Sequence, residues 1–138
     1  MPWIGRLKLK AQLFCEQETA MGPGKADLLE AIDREGSISA AGRAMGMSYR
    51  RTWLLVDAMN RCWVEPLVET TPGGGAGRGA QLTDCGRRVL DAFRALEAEL
   101  AAAAQAGSLG RLEALMAPAP RPAKAAHREL SPAGASEA

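Results

Sequence analysis

GSISAAGRAMGMSYRRTWLLVDAMNR, residues 36–61, decides how this chain is read. Ser37 and Ser39 both offer a hydroxyl at the start of a short, small-faced helical stretch, and side-chain oxygens there cap free backbone N–H groups. Gly46 ends that stretch, and Ser48 caps a new one after only Met47. Two short helices across a tight glycine-containing turn are the pattern of a helix-turn-helix. Laid on a wheel at about 100° per residue, the second helix, from Tyr49 to about Arg61, gathers Thr52, Val56, Met59 and Trp63 on one side. Tyr49, Trp53 and Leu55 flank that side. Arg50, Leu54, Asp57 and Arg61 fall opposite, as a solvent stripe.

Working outward, residues 7–13 alternate Leu7, Leu9, Ala11 and Leu13 with Lys8, Lys10 and Gln12, a period of two that predicts a half-buried strand. Gly22-Pro23-Gly24 then interrupts the chain. Lys25–Glu35 reads as a short helix with Leu28, Leu29 and Ile32 on one side and Gly36 as its stop. On the other flank, Val68-Glu69-Thr70-Thr71 and Ala80-Gln81-Leu82-Thr83 have strand composition. They bracket a glycine-rich loop from Gly73 to Gly79, so the pair reads as a hairpin. Thr83 opens a long helix to about Ala104. Its Val89, Phe93, Leu96 and Leu100 form a narrow apolar seam suited to a second copy of the chain.

The expected fold is α+β and mostly helical: an N-terminal strand, a winged helix-turn-helix over residues 1–105, and a long dimerisation helix. Residues 106–138 are rich in Ala and carry Pro118, Pro120, Pro122 and Pro132, a composition that builds no core, so they are expected to be a mobile tail.

Composition bounds the function. Of 138 residues, 47% are hydrophobic and 24% charged, ordinary for one globular domain. No apolar run has the roughly 20 residues of a membrane span, and MPWIGRLKLK has no apolar signal core, so a cytoplasmic location is expected. Cys15, Cys62 and Cys85 show no zinc-ligand spacing and suggest neither a disulfide framework nor a metal site. Cys62 and Cys85 read as small buried hydrophobes, and the tail's His127 is an unpromising catalyst. The glycine loop lacks the GK[ST] ending that cradles phosphate, so no cofactor is expected. With no catalytic Ser/His/Asp set either, an enzyme is disfavoured.

Net charge is only +1, so a case for DNA rests on where the charges sit. From Arg34 to Arg61 five arginines stand against Glu35 and Asp57. A second helix of this motif enters the major groove by its N-terminal residues. Arg50 and Arg51, and also Leu54, are therefore the expected base readers, by guanine contact or thymine-methyl contact. Tyr49, Ser37, Ser39, Arg43 and Ser48 are the expected backbone contacts, and Arg78 in the wing is expected near a phosphate or the minor groove. The partners expected are double-stranded DNA and a second copy of the chain. The alternative is a winged-helix protein-interaction module that binds no DNA, which an exposed Leu54 and a mobile tail would suit.

Gly36-Ser37-Ile38-Ser39, Ser48-Tyr49, Trp53, Met59-Asn60, Leu67-Val68-Glu69, the glycine-rich wing, and Leu82-Thr83 with Gly86 occur together and in order. Over about residues 7–105 the chain resembles the N-terminal DNA-binding domain of the molybdate-responsive ModE regulators, itself similar to the LysR-type winged helix. The resemblance implies a transcriptional regulator linked to molybdate uptake or molybdenum-enzyme genes. It does not reach the family's molybdate-binding domains, so direct molybdate binding does not follow from these residues. Pro72 at the start of the wing and Arg78 inside it depart from the family pattern.

Overall fold

A computed structural model describes residues 3–72 and 79–124. The glycine-rich wing tip with Arg78, and the end of the tail with His127, lie outside the described residues.

The central trihelical unit forms where the local signals place it. Helix α1, Pro23–Glu35, starts two residues earlier than the sequence suggests, because Pro23 occupies the first helical position, where its missing N–H costs nothing. Gly36 stops it at φ +77, with its N–H donating to the Ile32 carbonyl. Ala26, Leu28, Leu29, Ala31 and Ile32 form the buried face. Helix α2, Ile38–Ala44, is capped by Ser37, and α3, Tyr49–Arg61, by Ser48. Between them Gly46 sits at φ +71, a left-handed conformation that a side chain would strain.

The expected N-terminal strand over residues 7–13 is replaced by two small hairpins. In one, β1 (Trp3–Ile4) pairs with β2 (Leu7–Lys8); in the other, β3 (Leu13–Cys15) pairs with β4 (Glu18–Met21). The chain reverses at Gly5, φ +57, and at Glu16, φ +55. The alternation holds as burial only as far as Ala11: Leu7, Leu9 and Ala11 are half-buried and Lys8 and Lys10 exposed, but Leu13 is 40% exposed. It reported the face the chain turns inward, not a single pairing partner.

Strands β5 (Val68–Thr71) and β6 (Gly79–Leu82) form the wing, from Val68 opposite Leu82 to Thr71 opposite Gly79. Its base is fixed to the helices: the Ala80 N–H donates to the Gly36 carbonyl at 2.9 Å. Helix α4, Asp84–Ala106, follows, capped by Thr83, whose hydroxyl accepts from Gly86 and donates to the Pro66 carbonyl. Arg94 clamps α4 to α1 through Asp27 at 2.7 Å and Glu30 at 3.0 Å, with Glu97 at 2.9 Å on its own helix. Hydrogen bonding to Glu30 leads the effects that raise the Arg94 pKa and keep its charge. A short helix α5, Leu109–Leu115, falls inside the stretch read as tail. Its Glu113 accepts from the Arg6 backbone N–H at 2.7 Å, holding it to the β1–β2 turn.

The core is one cluster drawn from β4, α1, α2, α3, the wing strands and the first half of α4, with Met21, Leu28, Leu29, Ile32, Met59 and Leu67 fully buried. Strand order, helix-turn-helix and two-stranded wing make the fold a winged helix.

Candidate nucleic-acid interface

The approach of α2 to α3 sets the interface. Gly42 lies against Thr52, so closely that a Cβ at Gly42 would collide with the threonine hydroxyl. Thr52 is fully buried, and its hydroxyl donates to the Ser48 carbonyl at 2.8 Å. The polar group is thus satisfied within the first turn of α3 and fixes that turn against α2. The Met47 N–H closes the connection on the Gly42 carbonyl at 2.8 Å.

With Thr52, Val56 and Met59 turned inward, the opposite side of α3 is open. Arg50, Arg51, Leu54 and Asp57 are exposed there, with Leu54 at 56%. Tyr49, 62% exposed, stands edge-on to Trp53 with ring centroids 6.0 Å apart. Ser37 Oγ accepts from the Ala40 N–H and Ser48 Oγ from the Arg51 N–H, so both serve as caps. Ser39 is half-buried in the first turn of α2, and Arg43 is exposed near its end. Ser48, Tyr49, Arg50, Arg51 and Leu54 thus meet on one surface at the start of α3.

Charge pairing separates the arginines. Arg34, Arg61, Arg87 and Arg94 each have a carboxylate partner within 4 Å. Among the described residues, Arg43, Arg50 and Arg51 have no such partner; Arg6, Arg88, Arg111 and Arg121 have none either, but only the first three lie on the helix-turn-helix. Arg61 belongs to the outward stripe, yet its Nε donates to Asp57 at 3.0 Å, and that bond with the Asp57 charge raises its pKa.

Two basic residues escaped the sequence reading. Lys10 and Lys25 line, with Arg51, a concavity of about 270 Å³ between the start of α1 and the helix-turn-helix connection. They come from separate segments, and nothing local in either announces their meeting.

In the sequence Asn60 stands out only beside Met59 in the order of motifs that ends at Gly86, and the structure gives it a structural task. Its Oδ1 accepts from the Leu67 and Val68 N–H groups at 2.9 and 3.0 Å, and its Nδ2 donates to the Val68 carbonyl at 3.2 Å. It fastens the end of α3 to the first wing strand, so wing and α3 are held as one surface.

The expected dimer seam is divided. Phe93 is 2% exposed and packs in the core of its own domain, whereas Val89 and Leu96 are half-buried and Leu100 is 40% exposed. Val89, Phe93 and Leu96 border an apolar groove of about 460 Å³, completed by Leu13, Trp63 and Val64. Trp63 from the inner side of α3's wheel and Trp53 from its flank both pack on the edge of the core, and Cys62 is half-buried, not buried.

No family model matches the chain. It is similar to the molybdenum transport protein ModE of Azotobacter vinelandii. The two are 44% identical over 94 residues, which is 68% of this chain and 35% of that protein. The molybdenum-pterin-binding protein MopB of Rhodobacter capsulatus is 48% identical over 81 residues, 59% of this chain and 30% of MopB. The DNA-binding transcriptional dual regulator ModE of Escherichia coli K12 is 36% identical over 87 residues, 63% of this chain and 31% of that protein. The chain therefore spans about a third of the length of these relatives. Among solved structures, full-length LysG of Corynebacterium glutamicum aligns with a TM-score of 0.46 at 28% identity, over 67% of this chain and 29% of that one. Among the described residues, no helix is long and apolar enough to cross a membrane, and no cluster of three metal-ligating side chains occurs.

Proposed function

We propose that this chain is a ModE-type, sequence-specific DNA-binding transcriptional regulator that acts as a homodimer. The observation that carries the reading is the clustering, on the exposed side of the helix-turn-helix, of Arg43, Arg50 and Arg51, which have no carboxylate partner among the described residues. An exposed arginine fork with no protein carboxylate to satisfy it suits guanine edges and phosphates. In this reading α3 enters the major groove. Arg50, Arg51 and Leu54 meet base edges, while Ser37, Ser39, Arg43, Ser48 and Tyr49 position the backbone. Lys10 and Lys25 add phosphate contacts beside Arg51, and Arg78 does so from the wing. The link to molybdenum genes rests on the names of the relatives, and sensing of the oxyanion is not assigned to these residues.

Fluorescence anisotropy of the full chain on its own upstream DNA and on a scrambled duplex, across salt and with or without molybdate, tests the proposal. The expected result is tighter binding to the upstream duplex, with log affinity falling against log salt by about 0.9 per phosphate neutralised. Molybdate is expected to leave both curves unchanged. Equal, weak binding to both duplexes, followed by no enriched sequence in a genome-wide DNA selection, would overturn it in favour of a protein-interaction module.

A further inference from the structure

The far end of α3 carries chemistry that DNA reading does not use. Three free thiols stand in different surroundings: Cys15 exposed, Cys62 half-buried and Cys85 buried. Cys62 is the C-cap of α3, and β4 passes that end. On one side of Cys62 the Arg61 guanidinium lies 3.9 Å from the Glu18 carboxylate. On the other, Trp63 Nε1 donates to the Ala20 carbonyl at 3.2 Å. Both residues flanking Cys62 are therefore fastened to the same strand. Cys15 is the residue opposite Glu18 in the β3–β4 ladder. Directly opposed residues of an antiparallel pair project from the same face of the sheet. Since Glu18 reaches Arg61, Cys15 faces the same helix end as Cys62.

We propose that Cys15 and Cys62 are an oxidisable dithiol pair, a modification site at which a small-molecule disulfide closes a bridge between the β3–β4 hairpin and the end of the recognition helix. Cys15, being exposed, reacts first. Its thiolate attacks one sulfur of the reagent; a Cys15–reagent disulfide forms, the reagent's own S–S bond breaks, and the departing thiolate takes a proton from solvent. Cys62 then gives its proton to solvent, and its sulfur attacks Cys15 and expels the second reagent thiolate, which is protonated in turn. The protein loses two protons and two electrons, and one reagent disulfide becomes two thiols. The roles follow from the surroundings. Burial, together with Cys15 and Glu18, pushes the Cys62 thiol up, against the smaller pull of Arg61, so Cys62 is the poorer first nucleophile and the natural resolving thiol. The bridge lies at the opposite end of α3 from Tyr49, Arg50 and Arg51, so it staples the domain without touching the base-reading turn.

The test uses the full chain, folded, in glutathione–glutathione disulfide buffers. After quenching and alkylation, peptide mass spectrometry is expected to show a Cys15–Cys62 linkage lighter by two hydrogens, with Cys85 recovered as a free thiol. Cys62→Ser is expected to stop at the Cys15–glutathione adduct, and Cys15→Ser to form neither product. The oxidised wild-type chain is expected to melt at a higher temperature than the reduced one. A persistent glutathione adduct on wild-type Cys15, a bridge between two chains, a bridge to Cys85, or no oxidation would each overturn the assignment. These readouts involve no DNA and stand whether or not the regulator reading holds, and the wild-type linkage map decides even where a variant folds poorly.

Discussion

Arg50 and Arg61 stand on the same outward stripe of α3, yet their surroundings prepare them for different work. Arg61 is held by Asp57 on its own helix and faces Glu18 from β4. Spending it on DNA would mean giving up both carboxylates. Arg50 has no such partner to lose among the described residues. Arg50→Ala is therefore expected to weaken binding to the specific duplex by about 1–3 kcal/mol and to relax the preference at one base position, with a smaller loss on random DNA. Arg61→Ala should leave affinity for both duplexes close to wild type. Parallel anisotropy titrations check the pair, and equal losses for Arg50→Ala on both duplexes would make it a phosphate contact. The sequence placed both arginines on the correct face, because a helical period is a local property. It also singles out Arg50 by its place in the first turn, and the i,i+4 spacing of Asp57 and Arg61 is equally local; what it does not show is Glu18, which lies far away in the chain and which only folding brings to Arg61.

At the scale of elements, two small residues hold the reading surface together. A Cβ at Gly42 would meet Thr52, whose buried hydroxyl is already committed to Ser48, so Gly42→Ala is expected to cost about 1–3 kcal/mol through overpacking. Gly24, the second residue of α1, has open space around it, and Gly24→Ala should stabilise the domain by roughly 0.4–1 kcal/mol by reducing the freedom of the unfolded chain. Urea unfolding of the two variants against wild type reads both signs. Asn60→Ala would strip the Leu67 and Val68 N–H groups of their common acceptor, and the expected destabilisation is about 2–4 kcal/mol for two orphaned donors. Faster hydrogen exchange of β5 is expected with it, since this amide ties the wing to α3. The elements that could be read in advance have their determinants within a few residues: Ser37 and Ser48 at the caps, Gly36 and Gly46 at the stops. The two N-terminal hairpins could not be read, because one turns at Glu16, a residue type that does not announce a positive φ. Helix α5 escaped for a similar reason: Glu113 finds its partner, the Arg6 backbone, at the other end of the chain.

For the whole molecule, α4 is longer than its own domain requires. Its buried residues are Cys85, Gly86, Leu90 and Phe93, all in the first half of a 23-residue helix. Beyond Phe93 the helix continues to Ala106 with Leu100 40% exposed and an Ala-rich surface that invites close helix approach. Phe93 and Leu100 share a heptad-like seam but differ in burial: one completes the core of its own domain, and the other is exposed. The proposed dimer turns that difference into a prediction. Leu100→Arg is expected to shift sedimentation from dimer to monomer while leaving the circular dichroism spectrum intact. Phe93→Ala should cost about 3–5 kcal/mol, the loss typical of a core aromatic, and melt the domain itself. Because a twofold dimer sets its two recognition helices about one DNA turn, ~34 Å, apart or a multiple of it, Leu100→Arg should also bind a palindrome no better than a single half-site. A Leu100→Arg protein that stays dimeric and keeps its preference for the palindrome would move the interface elsewhere. The apolar groove formed by Leu13, Trp63, Val64, Val89, Phe93 and Leu96 would then be the next surface to test, since it is bordered by the same helix and lies nearer the recognition helices it would have to space.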